Sequence, residues 1–257
     1  MEIQWSRTSD QSMSHVRALL YGESGRGKTT SIRTLPVDRT VVVIAGERGA
    51  LPLRDYNFLC KSVDSWTDTE LLAQEIKAGN LPEGIRNVAF DSLSAASDLC
   101  KAEIVNVSRK ALIRSRTRGK SEAPEQIYDD LMTQEDWGLY LARMKSLIGT
   151  LTSSPFNVFC TCLAKWTEDK RSGSIKKTPS FQGRLALECA QYFDLVIYMD
   201  SVRGENGEER VWRTASDSVV EAKDASGKLD AIETTNWGVI ARKILSQPST
   251  DTTPKEA

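Results

Sequence analysis

Histidine is almost missing from this 257-residue sequence, and cysteine is sparse. His15 is the only histidine, which excludes HExxH zinc sites and most Ser-His or Cys-His nucleophilic systems unless they use that residue. The five cysteines are odd in number and include no CxxC pair. They therefore predict reduced thiols in the core of a cytosolic protein. The cysteines are Cys60, Cys100, Cys160, Cys162 and Cys189.

The sequence also lacks an excess of charge of either sign and any long apolar run. With 34 basic and 35 acidic residues the net charge is −1, so no overall field draws the chain to nucleic acid or to an anionic membrane. Any nucleic-acid contact must therefore be local. No apolar run approaches the ~20 residues that cross a bilayer, and the N-terminus has no signal-peptide core. We expect a cytoplasmic protein that makes no membrane contact.

Short, often β-branched apolar runs alternate with stretches of helical periodicity, a pattern typical of a doubly wound α/β fold with a mostly parallel, buried sheet. The predicted strands are 16–21, 40–45, 87–90, 157–163 and 195–199. The predicted helices are 29–35, 67–78, 93–107, 125–151 and 186–191. The turn at 203–208 and the segment 210–214 predict an antiparallel hairpin at the C-terminal sheet edge. The predicted domain spans 15–245, after an N-terminal extension at 1–14 and before a polar tail at 246–257 that we expect to be disordered.

The strongest motif is the P-loop, Gly22-Glu-Ser-Gly-Arg-Gly-Lys-Thr29, a complete G-x-x-x-x-G-K-S/T pattern between a predicted strand and a predicted helix. Its glycines let backbone N–H groups turn inward around phosphate, and the helix N-terminus adds partial positive charge. Lys28 reaches the β- and γ-phosphates, and Thr29 binds Mg²⁺. A chance glycine-rich turn is the alternative, which the strand-loop-helix context disfavours. We predict ATP and Mg²⁺ as cofactors, with the nucleotide held by Gly22, Glu23, Ser24, Gly25, Arg26, Gly27, Lys28, Thr29 and Thr30.

Two carboxylates follow neighbouring strands of the predicted sheet. Asp91 closes the apolar run 87–90 and is the candidate second Mg²⁺ ligand beside Thr29. The alternative is that Asp91 caps the helix that starts near residue 93, and both roles are compatible. Glu47 follows the strand 40–45 and could orient or deprotonate the attacking water. From spacing alone, a solvated turn at Glu47 is an equal alternative.

Several motifs follow one another in the order found in RecA-like recombinase ATPases. The sequence resembles that family over residues 15–235, and the smaller phage-encoded members associated with single-strand annealing and recombination are most similar. The resemblance implies a RecA-like P-loop fold in the host cytoplasm, and it implies that Glu47 polarises the attacking water. The motifs are Gly27-Lys-Thr29, the strand and turn 41–53, Phe90-Asp-Ser92, the helix 139–151 and the strand 157–163.

The resemblance also implies a lysine that reaches ATP in a neighbouring subunit. Lys223, in Glu221-Ala-Lys-Asp-Ala225, is the candidate, and Ala225 departs from the arginine that the family carries there. A solvated lysine is the alternative. Relatives often end the strand 157–163 with a Gln or His that senses the γ-phosphate. This sequence has Thr161 as a weak substitute, which puts tight coupling between ATP and DNA in doubt.

Two basic segments resemble the two DNA-binding loops of RecA-like proteins by position. The first, 109–120, carries six cations and no acidic residue, a local phosphate-binding footprint. The second, 166–177, joins four cations to Trp166, whose ring could stack on a base, and Lys165 directly precedes it. The alternatives are solvated mobile loops and, for Trp166, a lid over the sheet edge. The candidate DNA-binding residues are Arg109, Lys110, Arg114, Arg116, Arg118, Lys120, Lys165, Trp166, Lys170, Arg171, Lys176 and Lys177.

Three functions are compatible with these motifs. The first is an ATPase that forms a ring or filament with itself, binds single-stranded DNA and acts in recombination or annealing, with a single-strand-binding protein as a further partner. The second is a nucleotide-ordered DNA-binding module with little hydrolysis. The third is a nucleotide or metabolite kinase in which 109–120 is an arginine-rich lid. A DNA-stimulated, Mg²⁺-dependent ATPase is the prediction.

Overall fold

The computed structural model describes residues 15–46, 51–118, 132–168, 173, 175–204 and 207–245, with side chains of 108–118 and 204 excepted. Within those residues ten strands form one mixed sheet. In chain order they are β1 (Arg17–Gly22), β2 (Thr40–Ala45), β3 (Leu59–Val63), β4 (Asn87–Asp91), β5 (Asn157–Glu168), β6 (Ile175–Pro179), β7 (Leu195–Gly204), β8 (Gly207–Arg213), β9 (Lys223–Asp224) and β10 (Ile232–Glu233).

The strand order is β10-β8-β7-β1-β5-β4-β2-β3, with β6 paired to β5 and β9 paired to β7. The pairs from β7 through β1, β5, β4 and β2 to β3 are parallel, whereas β6, β8, β9 and β10 pair antiparallel. The predicted fold class, a mostly parallel doubly wound sheet with an antiparallel edge hairpin, is confirmed. Because β5 lies between β1 and β4, the P-loop and Asp91 end at the same sheet edge, one strand apart.

Six α-helices connect or cover these strands in the described part of the chain, and short 3₁₀ turns continue α1 and α5. The helices are α1 (Lys28–Ser31), α2 (Trp66–Ala78), α3 (Leu93–Arg118), α4 (Gln134–Thr152), α5 (Leu185–Glu188) and α6 (Trp237–Leu245). None of the helices in these residues could span a membrane.

Two helix boundaries differ from the prediction. Helix α4 begins at Gln134, because Thr133 forms a capping box in which its hydroxyl accepts from the Asp136 amide at 3.2 Å and Asp136 accepts from the Thr133 amide at 2.9 Å. The helix predicted over 125–151 is thus interrupted at 132–133, and 125–131 lie outside the described residues. Helix α3 continues to Arg118, so the part of the first basic segment at 109–118 is helical and not a loop.

The sheet separates two apolar layers, because successive side chains of each strand point to opposite faces. Leu19 and Tyr21 of β1 join the layer under α2, α3 and α4. Leu20 joins the other layer, where Trp237 of α6 packs with its ring centroid 4.4 Å from that of Trp212 and 4.8 Å from that of Phe159. The two layers fix β1, β5 and β4 side by side, and thereby the edge that carries the P-loop.

All five cysteines are free thiols, and four of them are buried. Cys60 is exposed, so the prediction of a core thiol is wrong at that position. The reason is that Cys60 lies on β3, the outermost parallel strand, where four of five residues are exposed.

Candidate nucleotide site

The P-loop surrounds a cavity of about 680 Å³ at the carboxyl edge of the sheet. Gly25 and Gly27 have φ of 76° and 101°, a left-handed conformation that glycine adopts without steric cost and that lets the loop curl. The cavity is lined by Ser24, Gly25, Gly27, Lys28, Thr29, Thr30, Ala45, Gly46, Pro52, Asp91, Ser92, Ala95 and Leu163. Most of the predicted nucleotide-binding residues therefore share one concave surface.

The Lys28 side chain folds back onto the loop. Its ammonium donates to the carbonyl oxygens of Gly22 and Glu23, each at 2.8 Å. Burial lowers the pKa of Lys28, because the charged form is penalised away from water. A phosphate in the cavity would offer this ammonium a charged acceptor in place of two neutral carbonyls.

Thr29 and Asp91, the two predicted metal ligands, lie in contact. The Thr29 hydroxyl donates to Asp91 Oδ2 at 2.8 Å, and the Thr161 hydroxyl donates to Oδ1. Asp91 is only 6% exposed, and burial raises its pKa although both hydroxyl donors act in the opposite direction. Hydroxyl and carboxylate oxygens are the hard ligands that Mg²⁺ prefers, so this pair fits the ion that a triphosphate carries.

The start of α3 is capped by Ser92, whose hydroxyl accepts from the Ala95 amide at 3.2 Å. Asp91 directs its oxygens to Thr29 and Thr161 instead. The metal role predicted for Asp91 therefore does not compete with a capping role. Thr161, the weak substitute that the sequence offers for a γ-phosphate sensor, donates its hydroxyl to the carboxylate of Asp91.

The side chains of Glu23 and Arg26 turn away from the cavity to two neighbouring hairpins. Glu23 accepts from Lys177 Nζ at 2.6 Å and from the Tyr198 hydroxyl at 2.8 Å. Burial acts to raise the pKa of Glu23, but the hydrogen bonds from Lys177 and Tyr198 outweigh it and lower that pKa. Arg26 Nη1 donates to Glu208 Oε1 at 2.8 Å. Only the backbone of these two loop residues faces the predicted nucleotide.

The described residues at both ends of the second basic segment are strands, because β5 runs to Glu168 and β6 begins at Ile175, and the two pair antiparallel. Trp166 on β5 is 59% exposed and is the register partner of Lys177 on β6. Lys177 Nζ lies 5.2 Å from the centroid of the Trp166 ring. Lys176 forms an ion pair of 3.7 Å with Glu221, and burial lowers the pKa of Lys165.

Several predicted site residues lie outside the description. Glu47, Lys120, Lys170 and Arg171 are not among the described residues, and Arg109, Lys110, Arg114, Arg116 and Arg118 are described only as backbone of α3. Their roles stay predictions.

Lys223 lies on β9, and its ammonium is engaged within its own chain. It donates to the carbonyl oxygens of Ala190 at 3.2 Å and of Phe193 at 2.8 Å. To reach a neighbouring subunit, Lys223 would have to give up both bonds. The trans-acting role stays a prediction.

The sequence did not predict the residues of the edge hairpin that contact the outer side of the P-loop. Tyr198 gave no signal, because it lies in an apolar run. Glu208 and Arg210 stand two apart on β8, a spacing that puts both side chains on one face of the strand. That spacing was visible in the sequence, but the contact of this face with the P-loop was not.

A family model matches most of the chain. The AAA domain family matches residues 14–226, a stretch that includes the P-loop, Asp91 and both hairpins. Among solved structures, the chain is similar to a KaiC-like protein from the hyperthermophilic archaeon Pyrococcus horikoshii OT3, at 14% identity and a TM-score of 0.39 over 76% of each chain. No curated protein matches the sequence.

Proposed function

The chain belongs to the AAA domain family of P-loop ATPases, and from that premise we propose that it hydrolyses MgATP while bound to single-stranded DNA, in recombination or annealing. The ATPase part of this proposal follows from the family and from the P-loop. The DNA part is the finer proposal, and it rests on the hairpins beside the loop.

Each residue of the nucleotide site has a separate role in the proposed hydrolysis. Lys28 would exchange its carbonyl partners for phosphate, and Thr29 and Asp91 would hold Mg²⁺, an ion that neutralises phosphate charge when bound. Glu47, which follows β2, orients the water. Thr161 keeps the Asp91 carboxylate turned to Thr29 by its hydrogen bond.

One observation carries the DNA proposal: an exposed tryptophan stands on a basic hairpin that is bonded to the P-loop. Trp166 offers a ring on which a base can stack, worth about 1–3 kcal/mol. Lys177 lies beside that ring and also pairs with Glu23 of the P-loop. The basic stretch 109–120 supplies the second phosphate-binding surface.

We also propose that the protein assembles with itself into a ring or filament and meets a single-strand-binding protein on DNA. Lys223 is the candidate to contact ATP of the neighbouring subunit. Mixing Lys223→Ala and Lys28→Ala chains tests this. We expect the mixture to hydrolyse faster than either variant alone, since each intact residue then completes a site with its neighbour.

Steady-state ATP hydrolysis with and without single-stranded DNA tests the main proposal, with Lys28→Ala as the blank. We expect turnover that rises with DNA, and Glu47→Gln is expected to bind ATP but hydrolyse it poorly. Trp166→Ala should weaken single-stranded DNA binding roughly tenfold. Trp137→Ala, at a partly exposed tryptophan of α4, is the matched control and should bind DNA as the unchanged protein does.

A second candidate is the nucleotide-ordered DNA-binding module, which the engagement of Thr161 with Asp91 favours. It predicts nucleotide binding and DNA binding without appreciable turnover. Phosphate transfer to a small acceptor, with no response to DNA, would instead identify the kinase.

A further inference from the structure

The edge hairpin, β7 and β8, places an arginine against the backbone of the P-loop. A Cβ built on Gly27 would lie 2.6 Å from Arg210 Nη1, 3.1 Å from Cζ and 3.5 Å from Cδ. The φ of 101° requires glycine at this position, and the short distances show that the guanidinium lies directly against it. Gly27 lines the cavity and Arg210 does not, so the guanidinium lies against the loop at the rim of the predicted phosphate site.

This position is fixed by the strands and not by a flexible loop. Arg210 is the register partner of Ser201 on β7, and Glu208, two residues before it, shares its face. Ser201 and Glu208 both accept from Arg26 of the P-loop, at 2.5 Å and 2.8 Å. The hairpin is thus bonded to the loop on the same face from which Arg210 projects.

The charges around the loop are matched except at Arg210. Arg26 pairs with Glu208, and Lys28 donates to two carbonyls. Across the described ranges, Arg210 has no hydrogen bond and no carboxylate within ion-pair distance. Its charge helps to lower the pKa of Glu208, after the hydrogen bonds from Ser201 and Arg26, but that carboxylate is already bonded to both of those groups.

A guanidinium presents five donors in a plane that matches phosphate oxygens. The Arg210 guanidinium lies against Gly27, a residue of the P-loop, whose amides and Lys28 ammonium attract an anion. We propose that Arg210 is a phosphate ligand of the bound nucleotide, contributed in cis by the edge hairpin. This inference rests on the proposed binding of ATP. It gives the hairpin a role in binding that the P-loop motif does not include.

Calorimetric titration with MgATP, ADP and inorganic pyrophosphate tests the proposal, using the full chain, Arg210→Ala, Arg210→Lys and Arg203→Ala. Pyrophosphate isolates phosphate contacts from contacts to the base. We expect Arg210→Ala to weaken all three ligands about tenfold, because a charge-assisted contact is lost. Arg210→Lys should recover part of the affinity. Arg203→Ala removes the same charge from an exposed site on the same hairpin and should bind as the unchanged protein does.

The outcomes separate this inference from the proposed function. If the unchanged protein binds ATP and Arg210→Ala binds it equally well, the inference is wrong and the proposed ATP binding stands. An equal loss in Arg203→Ala would assign the effect to overall charge and also overturn the inference. If the unchanged protein binds neither ATP nor pyrophosphate, the proposed function itself fails. Without ligand, we expect Arg210→Ala to have the same thermal unfolding midpoint as the unchanged protein, although its affinity is lower.

Discussion

The two sides of the P-loop are held in different ways. On the inner side, Thr29 and Thr161 donate to the buried carboxylate of Asp91. On the outer side, Glu23 and Arg26 form ion pairs with the two hairpins, and the side chains of Glu23 and Arg26 are 38% and 39% exposed. The inner side is a closed hydrogen-bonded group, whereas the outer side is open to water.

The inner side therefore holds the predicted metal ligands, whereas the outer side joins the P-loop to the two hairpins. A buried hydrogen-bonded carboxylate keeps one geometry, because leaving any member unpaired costs about 1–3 kcal/mol. Ion pairs near the surface contribute about 0–1 kcal/mol, so they can exchange partners when a ligand or a strand of nucleic acid arrives. We therefore expect substitutions on the inner side to abolish ATP hydrolysis. Substitutions on the outer side should instead alter how the hairpins respond to single-stranded DNA.

The largest effect is expected from Asp91→Asn. The amide keeps the size of the side chain but removes the charge that Mg²⁺ needs, so ATP turnover should fall roughly 100-fold or more. Steady-state hydrolysis at saturating Mg²⁺ measures this effect. Glu208→Gln, which removes a carboxylate on the outer side, is the control and should retain most of the turnover. Equal turnover in Asp91→Asn and the unchanged protein would remove Asp91 from the metal site.

A smaller effect is expected from Thr161→Val, which preserves shape and removes one donor to Asp91. The carboxylate then loses a buried hydrogen bond, and the free energy of unfolding should drop by about 1–3 kcal/mol. Urea unfolding measures the drop, and the double variant with Asp91→Asn tests its origin. If the two changes add without coupling, Thr161 does not act through Asp91.

The pH dependence of stability and of Mg²⁺ binding tests the inner side of the P-loop further. Because burial raises the pKa of Asp91, the folded chain takes up its proton at a higher pH than an unfolded chain does. The charged carboxylate therefore costs stability, and this cost disappears as the pH falls from the folded pKa toward the unfolded value. Mg²⁺ binding needs the charged form and should weaken over the same range. Titrating Mg²⁺-dependent nucleotide affinity against pH, beside urea unfolding without ligand, should show trends of opposite sign.

The smallest effect on stability is expected from Lys177→Met, which breaks the outer ion pair with Glu23. The pair is partly solvated, so the free energy of unfolding should change by less than about 1 kcal/mol. Stimulation of hydrolysis by single-stranded DNA should nevertheless fall, because the hairpin is no longer bonded to the P-loop. Lys145→Met, which breaks a similarly solvated pair with Glu188 away from both hairpins, is the matched control. Unchanged stimulation in Lys177→Met would separate the hairpin from the ATP site.

Local patterns predicted the parts of the site that are local in sequence. The P-loop lies between a strand and a helix as its motif requires, and Asp91 ends an apolar strand, so neither needed knowledge of distant residues. Strand β3 was missed because four of its five residues are exposed and leave no apolar run. Helix α6 was also missed, although its apolar residues follow a helical period.

The outer side of the loop could not be predicted, because it depends on strand pairing across the chain. Arg26 meets Ser201, 175 residues away, and the same separation joins Glu23 to Tyr198. The second basic segment has the composition of a loop, yet its described ends are paired strands in which Trp166 is the register partner of Lys177. The register between paired strands cannot be predicted from the spacing of residues along the sequence.

Because of helix α6, the folded domain extends beyond the residues that match the family model. The match to the AAA domain ends at residue 226, whereas α6 covers the second face of the sheet from Trp237 onward. A chain ended at the family boundary would uncover the indole of Trp212 and the ring of Phe159, both of which pack on Trp237. Such an apolar patch favours aggregation. The unit to express or to transplant between proteins is therefore the one that includes this helix.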